Sequence, residues 1–86
     1  MKLQLSDVCR CILKVLADTD GHPLGEDVLQ EHVNARLRPV PPQATFDDAM
    51  VAVKSAGHVK ALEGDFGGPA RWLLSEKGEA WLASRP

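Results

Sequence analysis

Apolar residues recur at spacings of three and four in three stretches of this chain, which is the pattern of amphipathic helices. The stretches span residues 7–17, 25–37 and 45–56. Glycine and proline stand close together between the first two stretches, and three prolines lie between the second and the third. Both connectors interrupt a helix, since proline lacks the amide donor and glycine favours turns. The pattern therefore predicts three helices joined by two non-helical connectors.

Residues that commonly cap helices stand at several of these boundaries. Ser6 and Thr45 are suited to cap the start of the first and third helices, because a short hydroxyl side chain accepts a hydrogen bond from an unpaired amide. Gly57 follows the third helix and is suited to the left-handed conformation that ends many helices. We expect these three residues to fix the helix ends.

The periodicity changes after the third helix. Residues 58–63 alternate as a half-buried strand does, residues 70–74 form a second strand, and the glycines between them predict a β-hairpin. A last short helix is expected at residues 76–83, with Ser75 as its cap. Gly78 inside that helix costs about 1 kcal/mol relative to alanine, so we expect a close-packing reason for it.

The order of helix, helix, helix, hairpin and short helix resembles the winged helix-turn-helix domains. The run Ala56-Gly57-His58-Val59, following Ala49-Met50 and Val53, looks like the end of a recognition helix entering the first wing strand. Leu74-Ser75-Glu76-Lys77-Gly78 resembles the segment that closes the wing in many small bacterial regulators. The resemblance implies an α+β fold in one domain over residues 1–86: a three-helix bundle, a two-stranded hairpin wing and a short C-terminal helix.

The resemblance also implies that the third helix enters the major groove of DNA while the wing approaches the backbone or the minor groove. On that interpretation the candidate DNA-binding residues are those with hydrogen-bonding or cationic side chains on the third helix and the wing: Gln43, Thr45, Lys54, Ser55 and Arg71. Such proteins often dimerise to bind two half-sites. The first and last helices would supply the dimer surface, through Leu3, Leu5, Trp81 and Leu82.

The charge pattern departs from that of a typical DNA-binding domain. The chain has 10 Lys and Arg against 12 Asp and Glu, a formal net charge of −2, whereas neutralising phosphates calls for a basic surface. Arg10 and Lys14 form one small basic edge. Arg36 and Arg38, with Lys54, are expected to form another, and we interpret both as ordinary solvated faces.

The acidic third helix favours a second interpretation, a protein-interaction module on the same scaffold that does not bind DNA. Its candidate partner-binding residues are Asp47, Asp48, Val51 and Phe66. The two aspartates also have a simpler explanation, since carboxylates in a first turn stabilise the helix dipole. Trp72 alternates with the candidate Arg71, and we expect the tryptophan to be in the core.

No catalytic motif is present, and we expect no enzyme activity, no cofactor and no metal site. The serines lack a nucleophile-elbow context, and there is no glycine-rich phosphate loop leading into a helix. Cys9 and Cys11 point about 200° apart on a helix, so a disulfide between them would require the helix to unwind. We expect one or both of them to be small core residues. The longest apolar runs are far shorter than a membrane span, and we expect a cytoplasmic protein.

Overall fold

The computed structural model describes residues 4–19 and 22–84. Within these residues four helices and three strands follow one another in the order α1 (Leu5–Asp18), β1 (Leu24–Gly25), α2 (Glu26–Arg36), α3 (Gln43–Ser55), β2 (Val59–Leu62), β3 (Arg71–Leu74) and α4 (Glu76–Ala83). A single 3-10 turn, Asp65–Gly67, lies between β2 and β3. The peptide bond between Arg38 and Pro39, in the connector after α2, is cis.

Helix α1 is the centre of the molecule and packs against α2, α3, α4 and β3. It buries residues on most of its circumference, which explains why apolar positions are so dense in its sequence: Val8, Cys11, Ile12, Leu13, Val15 and Leu16. The other large buried side chains come from α2 and α3, namely Leu29, Val33, Phe46, Met50 and Val53. Trp72 of β3 closes the core with 8% of its surface exposed, as the alternation with Arg71 predicted.

Helix α1 begins at Leu5, and its N-cap is Gln4 rather than the predicted Ser6. The Gln4 amide donates to the Asp7 carboxylate at 3.0 Å, the half of a capping box in which the third helical residue serves the cap amide. With this bond in place, the helix begins two residues earlier in the chain than predicted. The prediction of a Ser6 cap is therefore wrong.

Helix α3 begins at Gln43, directly after Pro42, whose carbonyl accepts from the amides of Thr45 and Phe46. Proline is tolerated here because the amide it lacks would have had no helical partner. Thr45 therefore lies inside the first turn and is not the cap, which corrects the prediction. Asp47 lies beyond that turn, and no acidic residue occupies it, so stabilisation of the helix dipole does not explain the acidic face.

A third strand, β1, was not predicted. Leu24 pairs with Trp72 and Gly25 pairs with Arg71, so the antiparallel sheet has the order β1-β3-β2. The sequence predicted that the second helix starts at Gly25, whereas α2 begins at Glu26. A two-residue strand is too short to show alternation, so periodicity gave no sign of it.

The two cysteines are free thiols, as the helical geometry predicted. Cys11 is buried in the core, and Cys9 is half-buried, with its sulfur 3.7 Å from the carbonyl of Ala49. Burial raises the pKa of both thiols, and the positive charges of Arg36 and Lys14 only partly oppose that rise for Cys11. Both residues act as small packing groups of α1.

Candidate nucleic-acid interface

The outward face of α3 changes in charge along its length. Its exposed residues, which follow one another at helical spacing, are Gln43, Ala44, Asp47, Asp48, Val51, Lys54 and Ser55. The carboxylates lie in the first half, the apolar Val51 is 58% exposed near the middle, and Lys54 is in the last turn. The face is thus acidic at the end near the proline connector and basic at the end that leads into β2.

Gln43 and Asp47 are joined in a hydrogen-bonded chain that links α2 to α3. The side-chain amide of Gln30 donates to Gln43 Oε1 at 2.6 Å, and Gln43 Nε2 donates to Asp47 Oδ1 at 2.9 Å. Both ends of the Gln43 amide are therefore engaged within the protein. A base contact by Gln43 would require these bonds to be exchanged.

The predicted DNA-binding residues of α3 separate into two groups. Gln43 and the half-buried Thr45 lie in the first turn, whereas Lys54 and the exposed Ser55 lie in the last. At a rise of 1.5 Å per residue, the two groups are roughly 16 Å apart along the helix axis. The structure therefore does not bring all four residues to one point, and only the later pair lies at the start of the hairpin.

The Lys54 side chain, which belongs to α3, also contacts the hairpin. Its ammonium nitrogen lies 5.0 Å from the centroid of the Trp72 ring, within the range of a cation–π contact. This contact fixes the cation at the junction between α3 and β3. The sequence gave no indication of it, because the two residues are distant in the chain and each has an independent explanation.

Arg71 is exposed on the opposite face of β3 from Trp72, since successive side chains of a strand point to opposite faces. Its cross-strand partners are Gly25 of β1 and Leu62 of β2. Lys54 and Arg71 therefore lie on the two sides of one strand. The structure places both cations at the hairpin, although not on a single flat surface.

We call the hairpin from β2 to β3 the wing, and the residues around Gly57, His58, Ser75 and Gly78 the wing base. The Ser75 hydroxyl donates to the Gly57 carbonyl at 2.6 Å and accepts from the Gly78 amide at 3.0 Å. The Ser75 amide donates to the His58 carbonyl at 3.0 Å. Ser75 thus caps α4, as predicted, and at the same time ties the end of α3 to the start of α4.

The two glycines of the wing base confirm their predicted roles. Gly57 has a φ of 75°, and the amides of Gly57 and His58 donate to the carbonyls of Lys54 and Val53, which is a Schellman motif. A Cβ on Gly78 would stand 2.2 Å from the His58 carbonyl oxygen. The close approach of α4 to the first wing strand is the packing reason expected for a glycine inside that helix.

The wing tip spans residues 64–69, of which residues 66–69 are exposed to solvent, in contrast to the closely packed wing base. Phe66 is fully exposed and has φ 56° and ψ 36°, in the left-handed region. Gly67 follows with a φ of 74°. The phenyl ring is thus extended from the protein and is not folded back on the core.

A second basic surface lies away from the wing, between α1 and α2. Arg10, Lys14 and Arg36 line a groove of about 410 Å³, together with Asp7, Cys11 and Leu37. Arg36 forms an ion pair with Asp18 at 2.8 Å. We predicted that Arg36, Arg38 and Lys54 form one basic edge. This prediction is wrong for Arg36, which lies beside Arg10 and Lys14 of α1 instead.

Residues 4–19 and 22–84 contain neither a candidate metal site nor a candidate membrane-spanning helix. No three side chains of histidine, cysteine, aspartate or glutamate are grouped so that they could hold a metal ion. No helix in this part of the chain has the length and apolar character needed to cross a membrane.

The sequence matches no known family and no curated protein, but three solved structures share its architecture. A proposed transcriptional regulator from Thermoplasma acidophilum is 18% identical, with a TM-score of 0.74 over 94% of this chain and 76% of its own. F93 from STIV, a winged-helix DNA-binding protein, is also 18% identical with a TM-score of 0.74, over 96% and 86%. F-93 of SSV1 is 26% identical with a TM-score of 0.66, over 88% and 79%. The α+β fold of this chain is therefore that of a winged helix, as the resemblance implied.

Proposed function

We propose that this chain is a non-enzymatic DNA-binding domain that takes part in transcription regulation. The observation that carries the proposal is the position of Lys54, held against Trp72 where the last turn of α3 meets the wing. In a winged helix these two elements approach the groove and the adjacent backbone of the duplex. The similarity to the DNA-binding F93 over nearly the whole chain supports the same assignment.

The proposed contacts are concentrated at the end of α3 that adjoins the wing. Lys54 and Arg71 bind phosphates on either side of β3, and Ser55 donates or accepts at the groove edge. Gln43 and Thr45 are secondary contacts, because the Gln43 amide already has two partners and Thr45 is half-buried. The acidic first half of α3 is tilted away from the phosphates, since like charges on the two surfaces would repel.

Salt-dependent binding tests the proposal. Fluorescence anisotropy with a mixed-sequence duplex at about 50 mM and about 200 mM salt should show affinity falling steeply, because bound phosphates release counterions. Lys54→Ala and Arg71→Ala should each weaken binding at every sequence and reduce the salt slope by about 1. Lys14→Ala removes the same charge from the α1–α2 groove and serves as the matched control.

Three outcomes are informative. Weaker binding by the Lys54 and Arg71 variants alone supports the assigned surface. Equal weakening by Lys14→Ala would move the contact to the groove between α1 and α2. Absence of binding by the parent protein at low salt would contradict the DNA-binding function.

A protein-interaction module is the second candidate, and the exposed Val51 between the acidic turn and Lys54 favours it. Asp47, Asp48 and Phe66 would then contribute to a partner surface. Asp48→Asn separates the two functions, because removing a negative charge from the helix that approaches the duplex lessens its repulsion of nearby phosphates and should tighten DNA binding about twofold. Glu79→Gln on α4 is the control. An Asp48 variant with unchanged DNA affinity would favour the protein partner.

We also propose that the protein functions as a homodimer through the start of α1 and α4. Leu5 is exposed there, and Trp81 and Leu82 are half-buried, while Leu3 lies outside the described residues. Sedimentation equilibrium should give twice the mass of the chain, and Leu5→Ser should shift the protein towards monomer. A monomeric parent at concentrations well above the DNA dissociation constant would contradict this arrangement.

A further inference from the structure

We infer that Phe66 is an apolar wedge at the wing tip, which enters the minor groove and partly unstacks a base step. The inference rests on the proposed DNA-binding function and extends it to a contact that does not involve phosphate. It assigns to the wing a role in selecting deformable sequence, because unstacking is easiest at pyrimidine–purine steps.

The backbone at Phe66 is one that glycine or asparagine adopts more readily. Its φ of 56° and ψ of 36° are left-handed, where the Cβ of every residue except glycine crowds the following carbonyl and a short polar side chain such as that of asparagine compensates by local hydrogen bonds. A residue of this type held in such a conformation marks a position to be tested for function. The local geometry alone would favour Gly at this position.

The side chain adds nothing visible to the stability of its own fold. The chain has two phenylalanines, and they are opposites: Phe46 is completely buried in the core, whereas Phe66 is fully exposed. Burial of an aromatic ring is what makes it stabilising. An exposed ring on a disfavoured backbone therefore acts through something outside the chain.

The shape of the tip fits a narrow groove better than a protein surface. Phe66 is the one aromatic residue among Gly64, Gly67, Gly68 and Pro69, and a Cβ placed on Gly67 would meet nothing within 4 Å. A projection this slender suits the minor groove, which is about 6 Å wide, and phenylalanine is among the side chains that wedge base steps apart there. Hot spots of protein interfaces are instead surrounded by further packed contacts.

The wing base supplies the rigidity that a wedge requires. Ser75 binds both Gly57 and Gly78, and α4 packs directly on the His58 carbonyl. The hairpin is therefore anchored at the end of α3, next to Lys54. A cation that binds a phosphate and a ring that opens a base step are held on the same anchored unit.

The test uses an A·T-rich duplex that carries 2-aminopurine at a TA step, whose fluorescence rises on unstacking. The proteins are the parent, Phe66→Gly and Phe66→Asn, which remove the ring and suit the left-handed backbone. Leu62→Ala is the control, because it removes exposed apolar surface from the same hairpin away from the tip. Affinity, salt slope, fluorescence at saturation and thermal midpoint are measured for each.

We expect the parent to raise 2-aminopurine fluorescence and both Phe66 variants to abolish the rise. Their affinity should fall about tenfold, since the stacking contact between the ring and a base is lost. The salt slope should stay unchanged because no charge is lost. Their thermal midpoint should rise by less than about 4 °C, since the exposed tip already relaxes part of the backbone strain. Leu62→Ala should bind as the parent does.

Two results overturn the wedge. If the parent binds DNA and the Phe66 variants bind equally well with the same fluorescence, the proposed function stands, the wedge is wrong and a protein contact accounts for the ring. If neither parent nor variants bind at low salt, the wedge and the proposed function fail together.

Discussion

The two ends of the wing are built in opposite ways. At the base, Ser75 is hydrogen-bonded to Gly57, His58 and Gly78, and the close approach of His58 leaves no room for a Cβ on Gly78. At the tip, Phe66 is surrounded by solvent on a backbone that glycine would suit better. The base fixes the direction of the hairpin relative to α3, and the tip presents a side chain with no role in the core.

This difference separates the residues that hold the fold from those that act on a partner. A binding element is most effective when rigid neighbours position it, and low local stability is typical of segments that contact ligands. Substitutions at the base should therefore change the free energy of unfolding. Those at the tip should change binding.

The largest expected effect is at Gly78. Gly78→Ala places a Cβ 2.2 Å from the His58 carbonyl oxygen and 2.8 Å from Leu74 Cδ1, and overpacking of this kind should lower the free energy of unfolding by about 2–3 kcal/mol. Urea denaturation measures it. Helix propensity alone predicts the opposite sign, a gain of about 1 kcal/mol, so a more stable variant would disprove the close contact.

Ser75→Ala should have the next largest effect. It removes the cap of α4 and the bond to the Gly57 carbonyl at a site only 6% exposed, and should lower the free energy of unfolding by about 1–2 kcal/mol. Ser84→Ala, which removes an exposed hydroxyl bonded to the Trp81 carbonyl, is the control. If both variants lose the same free energy of unfolding, the Ser75 hydrogen bonds at the wing base contribute no more than an exposed hydroxyl bond does.

Gly57→Ala and Gly67→Ala compare base and tip directly, because their φ values are 75° and 74°. Neither Cβ would clash, so both changes report backbone conformation alone. Gly57→Ala should lower the free energy of unfolding by about 1 kcal/mol, and Gly67→Ala by less, since the exposed tip can relax. Chemical denaturation that ranks them the other way would contradict a rigid base and a pliant tip.

The smallest effect concerns the thiols of α1, which lie outside the wing. The pKa of Cys11 is raised by burial, so the folded state favours the protonated thiol. The associated stability is fully present below about pH 8.5, where an unfolded thiol ionises, and is lost as pH rises through the folded pKa. Cys11→Ala should flatten the fall in the free energy of unfolding above that pH. An unchanged slope would show that ionisation of this thiol does not contribute.

Periodicity predicted the helices and the hairpin because their apolar faces are long enough to repeat. It failed where the structure depends on a few local bonds: the Gln4–Asp7 cap, the start of α3 after Pro42, and the two-residue strand β1. Of the candidate DNA-binding residues, Gln43, Lys54, Ser55 and Arg71 are exposed and Thr45 is half-buried, and their role in binding stays a prediction. The sequence did not indicate the Lys54–Trp72 contact or the Gln30–Gln43 hydrogen bond, because both join side chains across separate elements.

The most direct test of the account is a nuclear magnetic resonance titration of the labelled protein with a short duplex, recording backbone amide shifts residue by residue. We expect shifts concentrated at the last turn of α3, around Lys54, and at residues 64–71 of the wing, with the Ser75 and Gly78 amides unchanged. Shifts centred on Arg10, Lys14 and Arg36 would place the duplex in the α1–α2 groove and contradict the assignment of the wing as the DNA-binding element.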